Sequence, residues 1–236
     1  MKVTFLGTGT ADSFEKAQSC VMFEKHKSDC IIVDVGNGCL LRLGEVNKKP
    51  FDVKAVLVTH THIDHTGDLL PLLKARWLSG VKEELVIFAP YGFKNWFQSQ
   101  LESNPYLREK LRYEIIEVGE EKFEVCGFKV ESVITKHSVE SRGYIVDRVL
   151  VTGDTSPFKE LYEKDFEVVI HELSLPSGFS TTHTTPDNLV QFSDLLKDKI
   201  VYFTHIYPQT LEKIDEVIKK IGFGKVVSDL EWFIRG

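Results

Sequence analysis

Short runs of apolar residues, many of them β-branched, recur along the whole chain and alternate with polar turns. Runs of this length and composition predict β-strands, because such side chains pack well on a pleated surface. The predicted strands cover residues 2–6, 20–24, 30–35, 53–58, 84–89, 113–118, 129–134, 143–147, 149–153, 166–172 and 199–205.

Helical spacing of apolar residues is found between some of these strands. Residues 64–78 carry leucines at this spacing, and Pro71 predicts that the helix begins or bends there. Residues 185–198 open with a capping threonine and a proline, and residues 207–222 contain an early proline and end in glycine. Each of these three segments is therefore expected to be helical.

The order of these elements predicts the fold class. The first third of the chain is mostly predicted strand, whereas strands and helices alternate in the remainder. This order favours an α/β sandwich of two mixed β-sheets lying back to back, with helices on the outer faces. No break in composition marks a boundary, so residues 1–236 are expected to form a single domain.

Composition narrows the classes of protein that fit. The chain has 236 residues, 42% hydrophobic and 27% charged, as in ordinary soluble domains. Its net charge of −6 argues against a protein that coats nucleic acid. There is no signal-peptide pattern and no apolar run of membrane-spanning length, so a cytoplasmic location without membrane association is expected. The four cysteines form no C-x-x-C pair and are expected to be small buried residues.

The sequence THTHIDH, at residues 59–65, directly follows the predicted strand 53–58. In an extended segment, the side chains of residues two positions apart point in the same direction, so His60 and His62 can reach one point. Asp64 and His65 follow where the chain turns, and can reach a second point nearby. Imidazole and carboxylate groups suit zinc, and also manganese or iron, so this stretch is a candidate metal site.

Three more candidate ligands follow other predicted strands. His137, Asp154 and His205 each lie just beyond the end of an apolar run, where open α/β sheets usually place their sites. One histidine at a strand end is usually a structural, hydrogen-bonded residue. The combination with THTHIDH instead predicts a metal site at one edge of the sheets.

These residues resemble the metallo-β-lactamase superfamily. HTHIDH (60–65) is similar to that superfamily's H-x-H-x-D-H motif, and VDVGNG (33–38), VTGDT (151–155) and FTHIYP (203–208) are similar to three further conserved stretches. The resemblance extends over nearly the whole chain. It implies an αββα sandwich, the metallo-β-lactamase fold, with a dinuclear metal site at one edge and a hydroxide bridging the metals.

The resemblance also implies a ligand set. The first metal would be held by His60, His62 and His137, the second by Asp64, His65 and His205, and both by Asp154. Two divalent ions at this distance can stabilise both the attacking and the leaving oxygen. Diiron oxygen reductases of this fold usually carry glutamate where His62 stands, so a hydrolase is favoured, with zinc, or alternatively manganese.

Residues 171–185 resemble one group within this superfamily, the tRNA 3′-processing endonuclease tRNase Z and its relatives. There, HEAT and HST motifs supply a glutamate and a histidine beside the metals, and HELS (171–174) and HTT (183–185) match them loosely. The resemblance implies that Glu172 holds His183 in its protonated form. His183 could then give a proton to a leaving alkoxide or stabilise the charge of the phosphate. The alternative is structural, with His183 capping the next helix and Glu172 solvated.

Other parts of the chain depart from tRNase Z. In place of its P-x-K-x-R-N loop stands SFEKAQS (13–19), where only Lys16 matches. Its long basic, glycine-rich tRNA-binding arm has no counterpart, and its H-x-S-x-R motif is altered to HIYPQ (205–209). Cyclic-phosphate phosphodiesterases resemble this chain in having a related core without these tRNA-binding parts. One of them carries a cysteine-rich zinc site that this sequence lacks.

We therefore expect a dinuclear-metal phosphodiesterase with a small-molecule or nucleotide-type substrate, Asp64 being catalytic together with His183 and Glu172. A tRNA 3′-processing endonuclease, with RNA as its partner, is one alternative. A lactonase or thioesterase of the same fold is another, and would not need the Glu172–His183 pair. A non-enzymatic binding module is disfavoured because all seven candidate ligands are present. Homodimers are common among such proteins, but the sequence does not show one. The segment 93–107 is a candidate lid on its position alone.

Overall fold

The computed structural model describes residues 1–25 and 29–235, and in these ranges the chain forms two seven-stranded β-sheets. Strand order in the first is β14-β1-β2-β3-β4-β5-β6, and in the second β13-β12-β11-β10-β9-β8-β7. The strands are β1 Lys2–Gly7, β2 Cys20–Glu24, β3 Cys30–Val33, β4 Val53–Leu57, β5 Leu85–Ala89, β6 Tyr113–Glu117, β7 Glu121–Val125, β8 Phe128–Ile134, β9 Arg142–Val146, β10 Val149–Val151, β11 Val168–Glu172, β12 Ile200–Thr204, β13 Lys225–Val226 and β14 Trp232–Ile234.

Helices connect and cover these strands. They are α1 Cys39–Glu45, α2 Ile63–Thr66, α3 Leu69–Leu78, α4 Phe93–Glu102, α5 Pro105–Arg108, α6 Lys159–Tyr162, α7 Pro186–Leu189, α8 Ser193–Leu196, α9 Pro208–Leu211 and α10 Ile214–Ile221, with a 3₁₀ turn at Val190–Phe192. The α4 helix buries one face in the core of the first sheet, and α10 does the same on the second.

Both sheets are mixed, and their parallel halves carry the site. From β3 to β6 and from β10 to β13 neighbouring strands pair in parallel, whereas the other pairs are antiparallel. Two antiparallel steps separate β8 from β10, so these strands run in the same direction. The carboxyl ends of β4, β8, β10, β11 and β12 can therefore meet at one edge.

Alternation along the strands explains the layers. In β2, Val21 and Phe23 lie between the two sheets, whereas Met22 faces the helices on the outer side. This two-residue period buries both faces of the strand, which accounts for its continuous apolar sequence. The predicted αββα sandwich of two mixed sheets is confirmed.

The predicted helices are more broken than their sequence pattern indicates. The segment 64–78 divides into α2 and α3, and Pro71 lies in the first turn of α3, where its missing N–H costs little. The segments 185–198 and 207–222 are likewise interrupted, the latter between α9 and α10. Gly222, at φ 80°, ends α10 in the left-handed conformation as its sequence position predicts.

Among the described residues, no helix is both long enough and apolar enough to cross a membrane. Three of the four cysteines, Cys20, Cys30 and Cys39, are buried as expected. Cys126 is instead exposed, because it lies in the turn between β7 and β8.

One buried histidine lies outside the candidate metal site. The Nδ1–H of His171 donates to the Glu172 carbonyl at 2.7 Å, and the Tyr162 hydroxyl is 2.8 Å from its Nε2. Because a carbonyl only accepts, Nδ1 carries the hydrogen and Nε2 accepts from the hydroxyl. Burial lowers the pKa of His171, so the folded protein holds this imidazole in its neutral form.

We expect His171 to make metal-free protein less stable as the pH falls. Below the usual histidine pKa of about 6.5 the unfolded chain gains a proton that folded His171 accepts only at lower pH, so the free energy of unfolding decreases through this window. Urea unfolding between about pH 7.5 and 5.5 measures the slope. His171→Leu should show a smaller slope, and equal slopes in the two proteins would contradict the explanation.

Candidate functional site

The seven candidate ligands lie together at the edge where the parallel strands end. Two groups of side chains have ligand atoms within 4.8 Å of one another, and a third group contains the predicted Glu172–His183 pair. The groups are His60, His62, His137 and Asp154; Asp64, His65 and His205; and Asp154, Glu172 and His183. The structure thus brings all seven predicted ligands to one edge, with Asp154 in the first and third groups.

In the first group, ring nitrogens of three histidines converge. The Nε2 atom of His60 is 3.0 Å from Nδ1 of His62, and Nε2 of His137 is 3.1 Å from the same atom. The Oδ2 atom of Asp154 is 3.9 Å from His60 and 3.8 Å from His137. These four side chains thus enclose one small polar volume between β4, β8 and β10.

In the second group, His65 and His205 approach from the two different sheets. Their Nε2 atoms are 3.2 Å apart, and Oδ2 of Asp64 is 3.1 Å from Nε2 of His205. Asp64 and His65 lie on α2, so the turn after β4 gives both groups their ligands. His205 has a left-handed φ of 49°, which turns it inward from the end of β12.

Asp154 lies between the two groups. Its Oδ1 atom is 3.4 Å from His65 and 3.3 Å from His205, whereas Oδ2 faces His60 and His137. Oδ1 is buried and has no hydrogen-bond partner. A buried carboxylate oxygen without a donor is costly, so this atom fits a position beside a cation.

The outer nitrogens of His137 and His65 each contact an acceptor. Nδ1 of His137 donates to the carbonyl of Thr182 at 2.8 Å, and Nδ1 of His65 is 2.7 Å from the Asp34 carboxylate. Such contacts fix the hydrogen on the outer nitrogen and leave the lone pair of Nε2 directed into the site. The chemistry of the donor set therefore fits divalent metal ions.

Asp34 was not among the predicted site residues, although it stands in the VDVGNG stretch. It is fully buried and accepts hydrogen bonds from the backbone N–H and the hydroxyl of Thr59, at 2.8 and 2.9 Å. Thr59 in turn lies 3.0 Å from Nδ1 of His60. Asp34 thus orients His65 directly and His60 through Thr59, a role that a lone aspartate in the sequence does not reveal.

The two ligand groups differ in the direction in which their surroundings shift the histidine pKa values. Burial lowers the pKa of His60 and of His62, which favours the neutral imidazole that metals bind. Burial opposes protonation of His65 and His205 as well, but Asp154 and neighbouring carboxylates outweigh it and raise the pKa of both. The second group thus has excess negative charge that a proton or a metal cation can balance.

The Glu172–His183 pair lies beside Asp154. Nδ1 of His183 is 3.2 Å from Oε1 of Glu172 and 3.7 Å from Oδ2 of Asp154. Burial opposes protonation of His183, but the hydrogen bond to Glu172 outweighs it and raises the pKa of the imidazole. Glu172 is buried, not solvated as the structural alternative expects. The helix that follows is capped by Thr185, not by His183.

Tyr207 lies beside the described site. Its ring centroid is 6.2 Å from that of His183 and 6.1 Å from that of His205. Burial and the Asp154 carboxylate raise the pKa of Tyr207 to about 12, so its hydroxyl is protonated at neutral pH. The candidate lid, 93–107, forms α4 and α5, and Phe97 holds α4 on the first sheet.

Solved structures confirm the metallo-β-lactamase fold. The Bacillus subtilis metallo-beta-lactamase fold protein YhfI superposes with a TM-score of 0.81 at 19% identity, covering 98% of both chains. The short form of human tRNase Z gives 0.79 at 21% identity, covering 99% of both. Zn(2+)-bound PqqB from Methylobacterium extorquens gives 0.71 at 14% identity, covering 100% of both. At these identities the likeness shows the fold alone, and PqqB shows that this fold can hold zinc.

Sequence relatives confirm the resemblance to the tRNase Z group. Ribonuclease Z of Lactiplantibacillus plantarum is 30% identical over 182 residues, which are 75% of this chain and 55% of that protein. The chain thus spans about half the length of this curated relative. A second relative, ribonuclease Z of Pyrobaculum calidifontis, is 25% identical over 87% of this chain and 86% of its own.

A family model covers the chain more completely than the first of these relatives. It matches residues 1–233, which include all but the last residue of the two sheets and every side chain of the candidate site. With this match over nearly its whole length, the chain belongs to the family described as Anti-Pycsar protein Apyc1.

Proposed function

We propose that this protein is a metal-dependent phosphodiesterase that hydrolyses a small or nucleotide-type phosphodiester. The observation that carries the proposal is the Glu172–His183 pair, which lies against Asp154 where the two ligand groups meet. A metal centre alone would suit many hydrolases of this fold, including lactonases and thioesterases. A histidine held by a buried glutamate adds a proton donor beside it, which an alkoxide leaving from phosphorus needs.

The metal site is part of the proposal. Two divalent ions, zinc first and manganese as the alternative, would be held by the seven residues named from the sequence, with Asp154 shared. When bound, such ions activate water and stabilise charge on phosphoryl oxygens. Asp64 would act both as a ligand and through its contact with His205.

His183 has the geometry of a general acid. Its Nδ1–H donates to Glu172, so Nε2 is the nitrogen left for the substrate. The imidazole is partly exposed whereas Glu172 is buried, so the protonated ring faces the side from which a substrate arrives. His183 would give its Nε2 proton to the departing alkoxide, while Glu172 keeps the ring aligned and stabilises its charge.

A small substrate is favoured over transfer RNA. Residues 79–137, where a long tRNA-binding arm would be sought, form β5, α4, α5, β6, β7 and β8 with short connections. The second candidate, tRNA 3′ processing, is favoured by the ribonuclease Z relatives. Cleavage of a precursor tRNA, compared with cleavage of a short diester, distinguishes the two.

We further propose that the chain acts as one domain, and that a homodimer is its assembly.

Metal binding is the first test. We expect the wild-type protein to retain about two zinc ions per chain after dialysis, as in two-metal hydrolases of this kind. His137→Ala and His205→Ala should each lose one, because each removes a ligand from a different group. Elemental analysis measures the stoichiometry. His171→Leu, which removes a buried histidine outside the groups, is the matched control, and equal metal loss in this control would contradict the assignment.

Hydrolysis of bis(p-nitrophenyl) phosphate by zinc- and manganese-loaded protein is the second test. Asp64→Ala should reduce kcat by about 100-fold or more, because a lost ligand disturbs both the ion and the groups around it. Release of p-nitrophenolate is followed by absorbance. No turnover by wild-type protein that demonstrably holds its metals would overturn the phosphodiesterase assignment, and lactones and thioesters would then be assayed.

The role of His183 is tested by varying the leaving group. We expect His183→Ala to lower kcat by about 100-fold or more for a diester that releases an alkoxide, but by less than about 10-fold for one that releases p-nitrophenolate, which needs no proton. Glu172→Gln should show the same selectivity, whereas Asp64→Ala should slow both substrates. Equal losses on both substrates in His183→Ala would exclude a general acid.

A further inference from the structure

We propose that Ser174 is a positioning residue that orients His205 and Glu172 at the same time. Its hydroxyl would thereby join the second ligand group to the His183 pair. The roles of His183 and His205 in this inference rest on the proposed function. The contacts of Ser174 itself do not, and they can be tested separately.

The position of Ser174 is fixed by its backbone. The residue is completely buried just beyond β11, and its N–H donates to Oε2 of Glu172 at 3.1 Å. Its carbonyl accepts from the hydroxyl of Thr210 at 2.6 Å, which ties it to α9. The side chain is therefore held between the ends of β11 and β12, with little freedom to choose other partners.

The single hydroxyl hydrogen of Ser174 determines the direction of the hydrogen bonds. The Ser174 Oγ–H donates to Oε2 of Glu172, because a carboxylate is a stronger acceptor than a carbonyl or an imidazole. The lone pairs of Oγ can then accept, and Nδ1 of His205 lies 3.2 Å away. Asp154 Oδ1 is 3.3 Å from the same nitrogen but makes no hydrogen bond, so Ser174 is the acceptor for this N–H.

This bond has a consequence for the second ligand group. With the hydrogen on Nδ1, Nε2 of His205 presents its lone pair, and this atom is the one 3.1 Å from Asp64 and 3.2 Å from His65. Ser174 would therefore orient the ring of His205, as Asp34 orients the ring of His65. Loss of such an outer partner usually weakens metal binding by about 10–100-fold.

The same hydroxyl restrains the carboxylate of Glu172. Its Oε2 is held by the backbone and side chain of Ser174, and its Oε1 accepts from the N–H of Thr155 at 2.8 Å and from His183 at 3.2 Å. These contacts at both oxygens fix the plane of the carboxylate. Without the hydroxyl, Glu172 would be freer to rotate, and His183 would lose part of its alignment.

Zinc affinity of the whole 236-residue chain tests the first consequence. We expect Ser174→Ala to weaken the binding of one of two zinc ions by about 10-fold or more, measured by competition with a chromophoric chelator. Ser174→Thr, which keeps the hydroxyl, should stay within about 3-fold of wild type. Thr210→Val is the matched control, because it removes a backbone contact of Ser174 but leaves the Ser174 hydroxyl beside Glu172 and His205, so its loss of affinity should be smaller.

Leaving-group selectivity tests the second consequence. Ser174→Ala should slow release of an alkoxide more than release of p-nitrophenolate, and should not change that ratio further in the His183→Ala background. Such non-additivity is expected only when two residues act through one another. A general loss of stability would slow both substrates alike.

Unchanged zinc affinity in Ser174→Ala, or an equal loss in Thr210→Val, would overturn the inference. If Ser174→Ala does not fold, as judged by circular dichroism, Ser174→Val replaces it, since valine has the shape of the threonine in Ser174→Thr but no hydroxyl. If wild-type protein hydrolyses no phosphodiester, the proposed function fails. Zinc affinity alone then decides the role of Ser174.

Discussion

The buried carboxylate of Asp154 faces histidines from both ligand groups, and the charge balance of this whole edge depends on it. One of its oxygens has no hydrogen-bond donor, and it raises the pKa of the two histidines nearest to that oxygen. Lone pairs that converge without hydrogens between them are unfavourable unless a cation lies there. Asp154 and Asp64 therefore concentrate negative charge at this edge, and the histidine nitrogens around them suit a bound cation.

The surrounding protein directs the donors rather than supplying more of them. Asp34 orients His65, and the carbonyl of Thr182 orients His137. The turn that carries the motif 60–65 follows a strand whose last three residues are buried, so the first ligands start from well-packed backbone. This orientation has a conformational cost at His205, whose backbone adopts a left-handed conformation that favours glycine.

Much of the fold and the site could be predicted from the sequence, for physical reasons. Strands buried on both faces need continuous apolar runs, and the ligand motif has few structural alternatives. The edge strand β7 was missed because its residues alternate between charged and half-buried, and β13 and β14 are too short to leave a pattern. Pairing with neighbours, which no local sequence reports, determines these strands.

Supporting residues were missed for a related reason. Ser174 and Asp34 act through contacts that span 31 positions in the chain, from Ser174 to His205 and from Asp34 to His65. A serine or an aspartate alone indicates nothing of this. The pairing of Glu172 with His183 was anticipated only because a resemblance to HEAT and HST motifs pointed to it, and the structure then brought the two side chains together.

The loop between β11 and α7 carries His183 and also supplies, at Thr182, the carbonyl that orients His137. One short segment thus carries the histidine proposed as the general acid and supports a side chain of the first ligand group. Exchanging this loop between homologues would disturb both at once, whereas the turn at residues 10–18 contains none of the candidate ligands. Substitutions in the loop are therefore constrained by two separate contacts with the site, a constraint that the turn does not share.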